Sequence, residues 1–311
     1  MKTTNYKTMK YPQRYVKSTD PDFPERLRQD CIRAKPSGLY LVGRFPDPRK
    51  KAVAIIGARA CTEYGRSEAR RFGRILAESG VEIISGMAAG IDSAAQEGAL
   101  EGGGNTYAVL GCGADVCYPA SSRNLYERIA EGNGGILSEY PPGAKPLAYH
   151  FPIRNRLISG LADLVLVIEA RRKSGSLLTV NDALEQGRDV FALPGRSTDP
   201  LSEGCNSLIE DGAMIAFDPA QILAALGLTE RNRRNKDHTL EFSGDPDSEK
   251  VYGILDTEGM SVGQITLLSG LPADRSAEIL VRLVSDGFAA ELEPGRFVKR
   301  TIRIRQSNHF R

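Results

Sequence analysis

No tryptophan occurs in the 311 residues, and there are only three histidines and five cysteines. Each shortage excludes something. Nucleophilic catalysis needs a base beside the nucleophile. His238 and His309 fall in polar stretches without apolar periodicity, which leaves His150, and a lone histidine reads as a packed or capping residue. Metal sites need His, Cys, Asp or Glu at ligand spacing, and no stretch supplies it. Cys31, Cys61, Cys112, Cys117 and Cys205 form no CxxC pair, and their odd number argues against a disulfide framework. They read as reduced thiols of a cytoplasmic protein, with Cys112 and Cys117 as small packing residues. Asp92 and Asp163 read as a helix N-terminal acid and a strand-entry residue, not as acid/base partners. No catalytic set, metal or cofactor is therefore expected. No apolar run reaches membrane-spanning length. Residues 1–15 lack the apolar core of a signal peptide, so no membrane partner is expected. Net charge is only +2, so a site for a polyanion has to come from local clustering.

What is present begins at residues 53–92, VAIIGARACTEYGRSEARRFGRILAESGVEIISGMAAGID. An apolar run at 53–56 stops at Gly57-Ala58-Arg59. A helical pattern follows, with Phe72, Ile75 and Leu76 on one face and Arg66, Arg70 and Arg74 on the other, and Gly80 ends it. A second apolar run, 81–84, breaks at Ser85-Gly86, and Gly90-Ile91-Asp92 opens the next helix. Strand, glycine turn, helix, twice over, is the pattern of a parallel sheet. In such sheets ligands bind outside the carboxyl ends of the strands, where both glycine turns fall. Glycines let a phosphate approach the backbone, and a helix N-terminus favours an anion. Neither a G-x-G-x-x-G fingerprint nor a Walker loop is present.

The pattern continues with a helix at 93–101, a strand at 106–110, a helix at 121–131 and a strand at 135–138. A proline-rich passage, 140–152, leads to Phe151-Pro152-Ile153-Arg154-Asn155-Arg156, placed at a strand entrance. The most apolar strand, 164–168, is expected at the sheet centre. After it come Lys173-Ser174-Gly175-Ser176 and Thr179, a helix at 177–186, a strand at 190–193, a helical turn at 208–211, a strand at 214–217 and a helix at 219–226. Residues 1–50 read as a flanking lead-in, with a short helix at 22–34 and a strand at 38–43. Glycine turns and basic or hydroxyl side chains thus recur at several strand ends. One such turn would read as a bare tight turn. Several in a row, Gly57 and Arg59, Ser85 and Gly86, Arg154 to Arg156 and Lys173 to Thr179, fit a chain of phosphates, with Phe151 available to stack a base.

The composition changes at 229–247, which reads as a linker. Residues 248–305 then show three short helices and a hairpin, the order of a winged helix-turn-helix. The outward face of the third helix carries Asp274, Glu278 and Asp286 against Arg275 and Arg282, a poor charge for DNA. Arg296, Lys299, Arg300, Arg303, Arg305 and Arg311 make the tail more basic.

On these residues the chain resembles the DNA-processing protein A family (DprA, also called Smf). The resemblance rests on Gly57-Ala58-Arg59 with Thr62-x-Tyr64-Gly65, and on Ser85-Gly86-Met87-Ala88-x-Gly90-Ile91-Asp92. It continues in Phe151-Pro152-x-Arg154-Asn155-Arg156-x-Ile158-Ser159-Gly160-Leu161 and Ser174-Gly175-Ser176-Leu177-x-Thr179. Pro194-Gly195 and Gly204-x-Asn206-x-Leu208-Ile209-x-Asp211-Gly212-Ala213 complete it. The resemblance implies an extended Rossmann-like α/β fold with a winged-helix-like C-terminal domain, binding of single-stranded DNA in the cytoplasm, and no enzymatic activity. It also implies loading of RecA recombinase on incoming DNA during natural transformation, and a homodimer paired at positions matching Asn206, Ile209 and Ile215. The family's basic residue before the Phe-Pro motif is matched most nearly by Lys145, and Ala58 stands where the family usually has Ser or Thr. Two other readings stay open. A nucleotide phosphoribohydrolase of the LOG-like kind shares the opening turn, but its glutamate has no counterpart at 173–179. A ligand-sensing transcription regulator would need a base-reading helix, which the acidic third helix disfavours.

Overall fold

A nine-stranded sheet carries the larger of two units into which the chain divides, Met1–Thr229 and Glu230–Arg311. The computed structural model describes residues 11–132, 134–228, 245–256, 259–286 and 288–299. In the larger unit the chain forms β1 (Gln13–Lys17), β2 (Gly38–Gly43), β3 (Ala52–Ile56), α1 (Glu63–Glu78), β4 (Glu82–Ser85) and α2 (Ile91–Glu101). It continues through β5 (Thr106–Leu110), α3 (Arg123–Glu131), β6 (Gly135–Ser138), α4 (His150–Leu161) and β7 (Leu164–Val167). Then come α5 (Ser176–Glu185), β8 (Asp189–Ala192), α6 (Glu203–Glu210), β9 (Met214–Ile215) and α7 (Pro219–Ala225).

The strand order is β1-β2-β6-β5-β4-β3-β7-β8-β9. From β6 to β9 all pairings are parallel, and β2 and β1 add an antiparallel edge. Side-chain parity sorts the central strands onto two faces. Ala52, Ala54 and Ile56 pack with Leu157, Leu161 and Val180 under α4 and α5. Val53 and Ile55 pack with Phe72, Leu76 and Ile91 under α1 and α2. Both faces are covered, which is why these strands are continuous apolar runs.

Several expectations change on contact with the structure. Strand β7 lies between β3 and β8, two strands from the central β4 and two from the edge. Apolarity marks a strand as covered on both faces, not as central. The expected helix at 22–34 is a single 3-10 turn at Glu25–Leu27. Its arginines also bind outside the segment: Arg28 Nε donates to Ser18 O at 2.8 Å, and Arg26 reaches Leu161 O and Asp163. Residues 151–156, placed at a strand entrance, lie in helix α4. Pro152 fits the first turn, where its missing N–H is not needed. The helix is buried on nearly every side, Arg154, Asn155, Arg156 and Ser159 included, so no amphipathic stripe announced it.

The smaller unit contains α8 (Pro246–Ile254), β10 (Met260–Ser261), α9 (Val262–Ser269), α10 (Ala273–Ser285), β11 (Ala289–Glu293) and β12 (Arg296–Lys299). It is a small domain of helices and a sheet ordered β10-β12-β11, with Val251, Ile265, Ile279, Leu280 and Leu283 in its core. Residues 245–247, read as linker, start α8: Asp245 caps it, accepting from Asp247 N and Ser248 N. Ser261 caps α9 in a reciprocal capping box with Gln264. Val284, next to the buried Leu283 on α10, is 37% exposed. The linker residues 229–244 and the basic residues Arg300, Arg303, Arg305 and Arg311 lie outside the described residues.

Candidate functional site

The strand order reverses at β3. From there the chain runs outward to β6, then returns to the other side of β3 as β7. The helix after β3, α1, covers one face, and the helix after β7, α5, covers the other. The two exits part, and a crevice opens between them at the carboxyl ends of the strands, the place where open α/β sheets bind ligands. It holds a cleft of about 660 Å³ that passes into a smaller recess of about 110 Å³.

Backbone bonds tie the turns around it together. Ala58 N donates to Glu169 O at 2.7 Å, joining the exits of β3 and β7, and Ile91 N donates to Ala58 O at 3.2 Å. Gly90 has φ +87°, and a Cβ there would collide with the carbonyls of Ala58 and Arg59. Met87, buried, holds a left-handed φ of +53°, local strain of a kind that clusters at functional turns. Glu169 is a brace. Its carboxylate accepts from Thr62 N at 2.9 Å and from Thr62 Oγ1 at 2.5 Å, while Thr62 caps α1. Asp92 accepts from Gly86 N at 3.0 Å, as a helix N-terminal acid should, and burial raises its pKa.

Arg154 forms the floor. It is buried and donates to the carbonyls of Gly86 and Val109. Burial pulls its pKa down to about 10, which leaves it cationic at neutral pH. Above it the half-buried Phe151 ring lies 5.1 Å from the Arg59 guanidinium carbon and 5.9 Å from that of Arg154. Tyr118 packs against Phe151 at 5.5 Å. Among the described residues, exposed Arg59, Arg171, Arg172 and Lys173 enter no ion pair. The cleft therefore combines uncompensated cations, backbone turns and an aromatic face.

Of the residues marked by the sequence, Gly57, Arg59, Phe151, Arg154 and Asn155 line the cleft, as do Lys173, Ser174, Gly175, Ser176 and Thr179. Gly86 lines the recess. Three fall elsewhere. Ser85 is buried and donates to Ile55 O at 2.6 Å. Arg156 points away, paired with both oxygens of Glu139 at 2.7 and 2.8 Å and bonded to Ala34 O at 2.7 Å. Lys145 is exposed beside Pro146, which lines the wall. Sequence reasoning missed Tyr118, Pro146 and Ala148 as lining residues, because long loops without periodicity bring them in. Arg171, two residues before the marked Lys173, also lines the cleft. His150 is packed as expected, its Nδ1 3.0 Å from Gly111 O. Burial pushes the thiols of Cys112, Cys117 and Cys205 up to about 12, 11 and 12, the state of inert packing residues.

At the far edge, Asn206 grips Gly195 through Oδ1 and Nδ2 at 3.1 and 3.0 Å. Ile209 is half-buried against the core, and Ile215 is exposed on β9 with Met214 and Phe217. Strand β9 pairs with β8 on one side, and the other is the edge of the sheet.

Comparison with known proteins agrees with this arrangement. The sequence model of the family described as DNA recombination-mediator protein A matches residues 14–227. The chain is 43% identical over 222 residues to Protein Smf of Synechocystis sp., a match covering 70% of this chain and 55% of that protein. It is 46% identical over 186 residues to DNA processing protein DprA of Streptococcus pneumoniae, covering 60% of this chain and 65% of that protein. The chain thus spans between half and two thirds of the length of these two relatives. The crystal structure of the pneumococcal protein superposes with a TM-score of 0.63 at 40% identity, over 70% of this chain and 75% of that one. A DNA processing protein A from Helicobacter pylori, whose structure is described for its single-stranded DNA binding mode, superposes at 0.62 and 32% identity. That match covers 71% of this chain and 98% of the other. The family is one of recombination mediators, not enzymes, which sets aside the phosphoribohydrolase reading.

Proposed function

We propose, for a chain that belongs to the DNA recombination-mediator protein A family, that the cleft binds single-stranded DNA through its phosphates. The observation that carries this reading is the set of unpaired cations, Arg59, Arg171 and Lys173, around a cleft whose floor is the buried Arg154 and whose stacking face is Phe151. Contacts of this kind are made to the backbone and are tolerant of sequence. An open crevice at strand ends, without a helix presented to a groove, suits a flexible strand better than a duplex. Lys145 stands on the rim beside Pro146 and Asn155 lines the cleft itself, whereas Ser85 and Arg156, bonded to Ile55 and to Glu139 and Ala34, are left out of the binding set.

In this reading the protein works in the cytoplasm. It holds incoming single strands and loads RecA recombinase on them in natural transformation or a related recombination route. It acts as a homodimer joined along β9 and α6, where Ile215, Met214 and Phe217 leave an apolar edge exposed. An uncovered edge strand of this composition calls for a partner, and two clefts on one particle give a long strand avidity. Gel-shift competition between single-stranded and duplex DNA over a salt series tests the binding. Preference for the single strand, with little dependence on its sequence, is expected, and equal affinity for the two forms would sink the proposal. Ile209→Glu is expected to give monomers by light scattering and to weaken binding of long strands only.

A further inference from the structure

The passage between β6 and α4 forms one wall of the cleft. Pro146 and Ala148 line the cleft, and Lys145, Leu147, Ala148 and Tyr149 are exposed along it. Tyr149 is 62% exposed, yet its ring is held in place. It stands edge-on to His150 with centroids 4.6 Å apart, and His150 lies stacked on Tyr140 at 3.8 Å. His150 is anchored in turn by its Nδ1 at Gly111 O, 3.0 Å away. The wall itself is pinned where Gly143 N meets both oxygens of Asp115 at 2.9 and 3.1 Å, and where Gly113 N donates to Ala144 O at 2.9 Å. An exposed aromatic needs no explanation when it stands alone. This one is pre-ordered by a ladder of rings, two residues from the Phe151 that faces the cleft, with a lysine on the same wall.

We propose that Tyr149 is a second stacking platform, on which the strand leaving the cleft over the wall lays a nucleobase while Lys145 meets a phosphate of the same strand. The inference rests on the cleft binding single-stranded nucleic acid. Stacking suits this task because every base offers a π-face, and a ring already fixed loses little entropy on binding.

The chain has no tryptophan, so Tyr149→Trp supplies a single indole emitter at the proposed contact. The full-length protein is titrated with oligothymidylates of about four and about sixteen nucleotides, lengths that span the usual size range of single-strand sites. The longer strand is expected to quench the indole emission of Tyr149→Trp at saturation, and the shorter to bind in the cleft without quenching it. Tyr149→Ala is expected to lose about tenfold in affinity for the longer strand and nothing for the shorter. Its melting temperature should match the wild type, and Tyr149→Trp, which keeps a ring, serves as the folded control. Wild-type affinity of Tyr149→Ala for both lengths, or saturation of Tyr149→Trp by the longer strand with no change in emission, overturns the platform and leaves the cleft reading standing. Failure of the wild type to bind either length overturns both.

Discussion

The cleft of the larger unit and helix α10 of the smaller one both carry arginines, and they use them in opposite ways. In the larger unit Arg59, Arg171 and Lys173 line the cleft without an acidic partner among the described residues. In the smaller unit both arginines of α10 are spent on carboxylates. Arg275 reaches Asp245, Asp247 and Glu278 at 3.5, 3.4 and 2.9 Å, and Arg282 reaches Asp245 and Glu278 at 3.5 and 3.1 Å. A count of basic residues treats the two surfaces alike. A polyanion does not, because displacing a carboxylate offsets what the phosphate contributes. The same contrast recurs inside the larger unit, where Arg156 and Arg154 are both buried on α4. Arg156 is closed by Glu139. Arg154 faces the cleft with its charge opposed only at a distance by the buried Asp92.

Substitutions can break or sharpen that contrast. The largest effect is expected from Arg156→Met, which strands the part-buried Glu139 carboxylate. Unfolding free energy should fall by about 3–5 kcal/mol, read from denaturant midpoints, while DNA affinity per folded molecule stays the same. A loss of affinity without a loss of stability would return Arg156 to the binding set. Next comes Arg59→Ala. It is expected to weaken single-strand binding by about 1–3 kcal/mol across all sequences and to leave the melting temperature unchanged, since the side chain is exposed. Normal binding by this variant would make Arg59 a bystander over Phe151.

Smaller and more specific is the salt response. Wild-type affinity should fall with log salt by about 0.7 per phosphate contacted. Arg171→Ala and Lys173→Ala are each expected to flatten the slope by about that amount. Arg275→Gln and Arg282→Gln should not alter it, because those charges are already paired. An equal change of slope in both units would erase the distinction between paired and unpaired cations. The smallest effect is expected from ending the chain at Leu228. The larger unit should stay folded by circular dichroism and keep most of its single-strand affinity. A folded but non-binding product would move the site to the region after the linker.

Much of the site was legible in the chain because its parts are local. A glycine turn after an apolar run, a hydroxyl or basic residue at the next helix start and an acid at its N-terminus are set within a few residues by backbone sterics and end effects. Gly57, Arg59, Gly86, Lys173 and Thr179 were found in this way, and the structure brings them to one crevice. The misses have one origin. Arg156 and Ser85 share motifs with cleft residues, but on α4 a step of two residues swings a side chain away from Arg154, and Ser85 precedes the turn and faces Ile55. Helix α4 itself was hidden because burial on nearly all sides removes the periodicity by which a helix is recognised.

By itself, then, the sequence determined most of the strands, turns and helices of a two-faced parallel sheet, though not helix α4 or the 3-10 turn at Glu25–Leu27. It also argued against a histidine-based catalytic set, a disulfide framework and a clustered metal site, because propensity, capping and residue chemistry act over a few residues. Only the tertiary structure decided that the order reverses between β3 and β7, and therefore where the crevice opens. It alone decided which arginines meet a carboxylate and which remain free. Those outcomes depend on residues far apart in the chain, Arg156 with Glu139 and Ala34, Ala58 with Glu169, Arg154 with Gly86 and Val109. No local pattern encodes them, because packing across the whole sheet sets the partners.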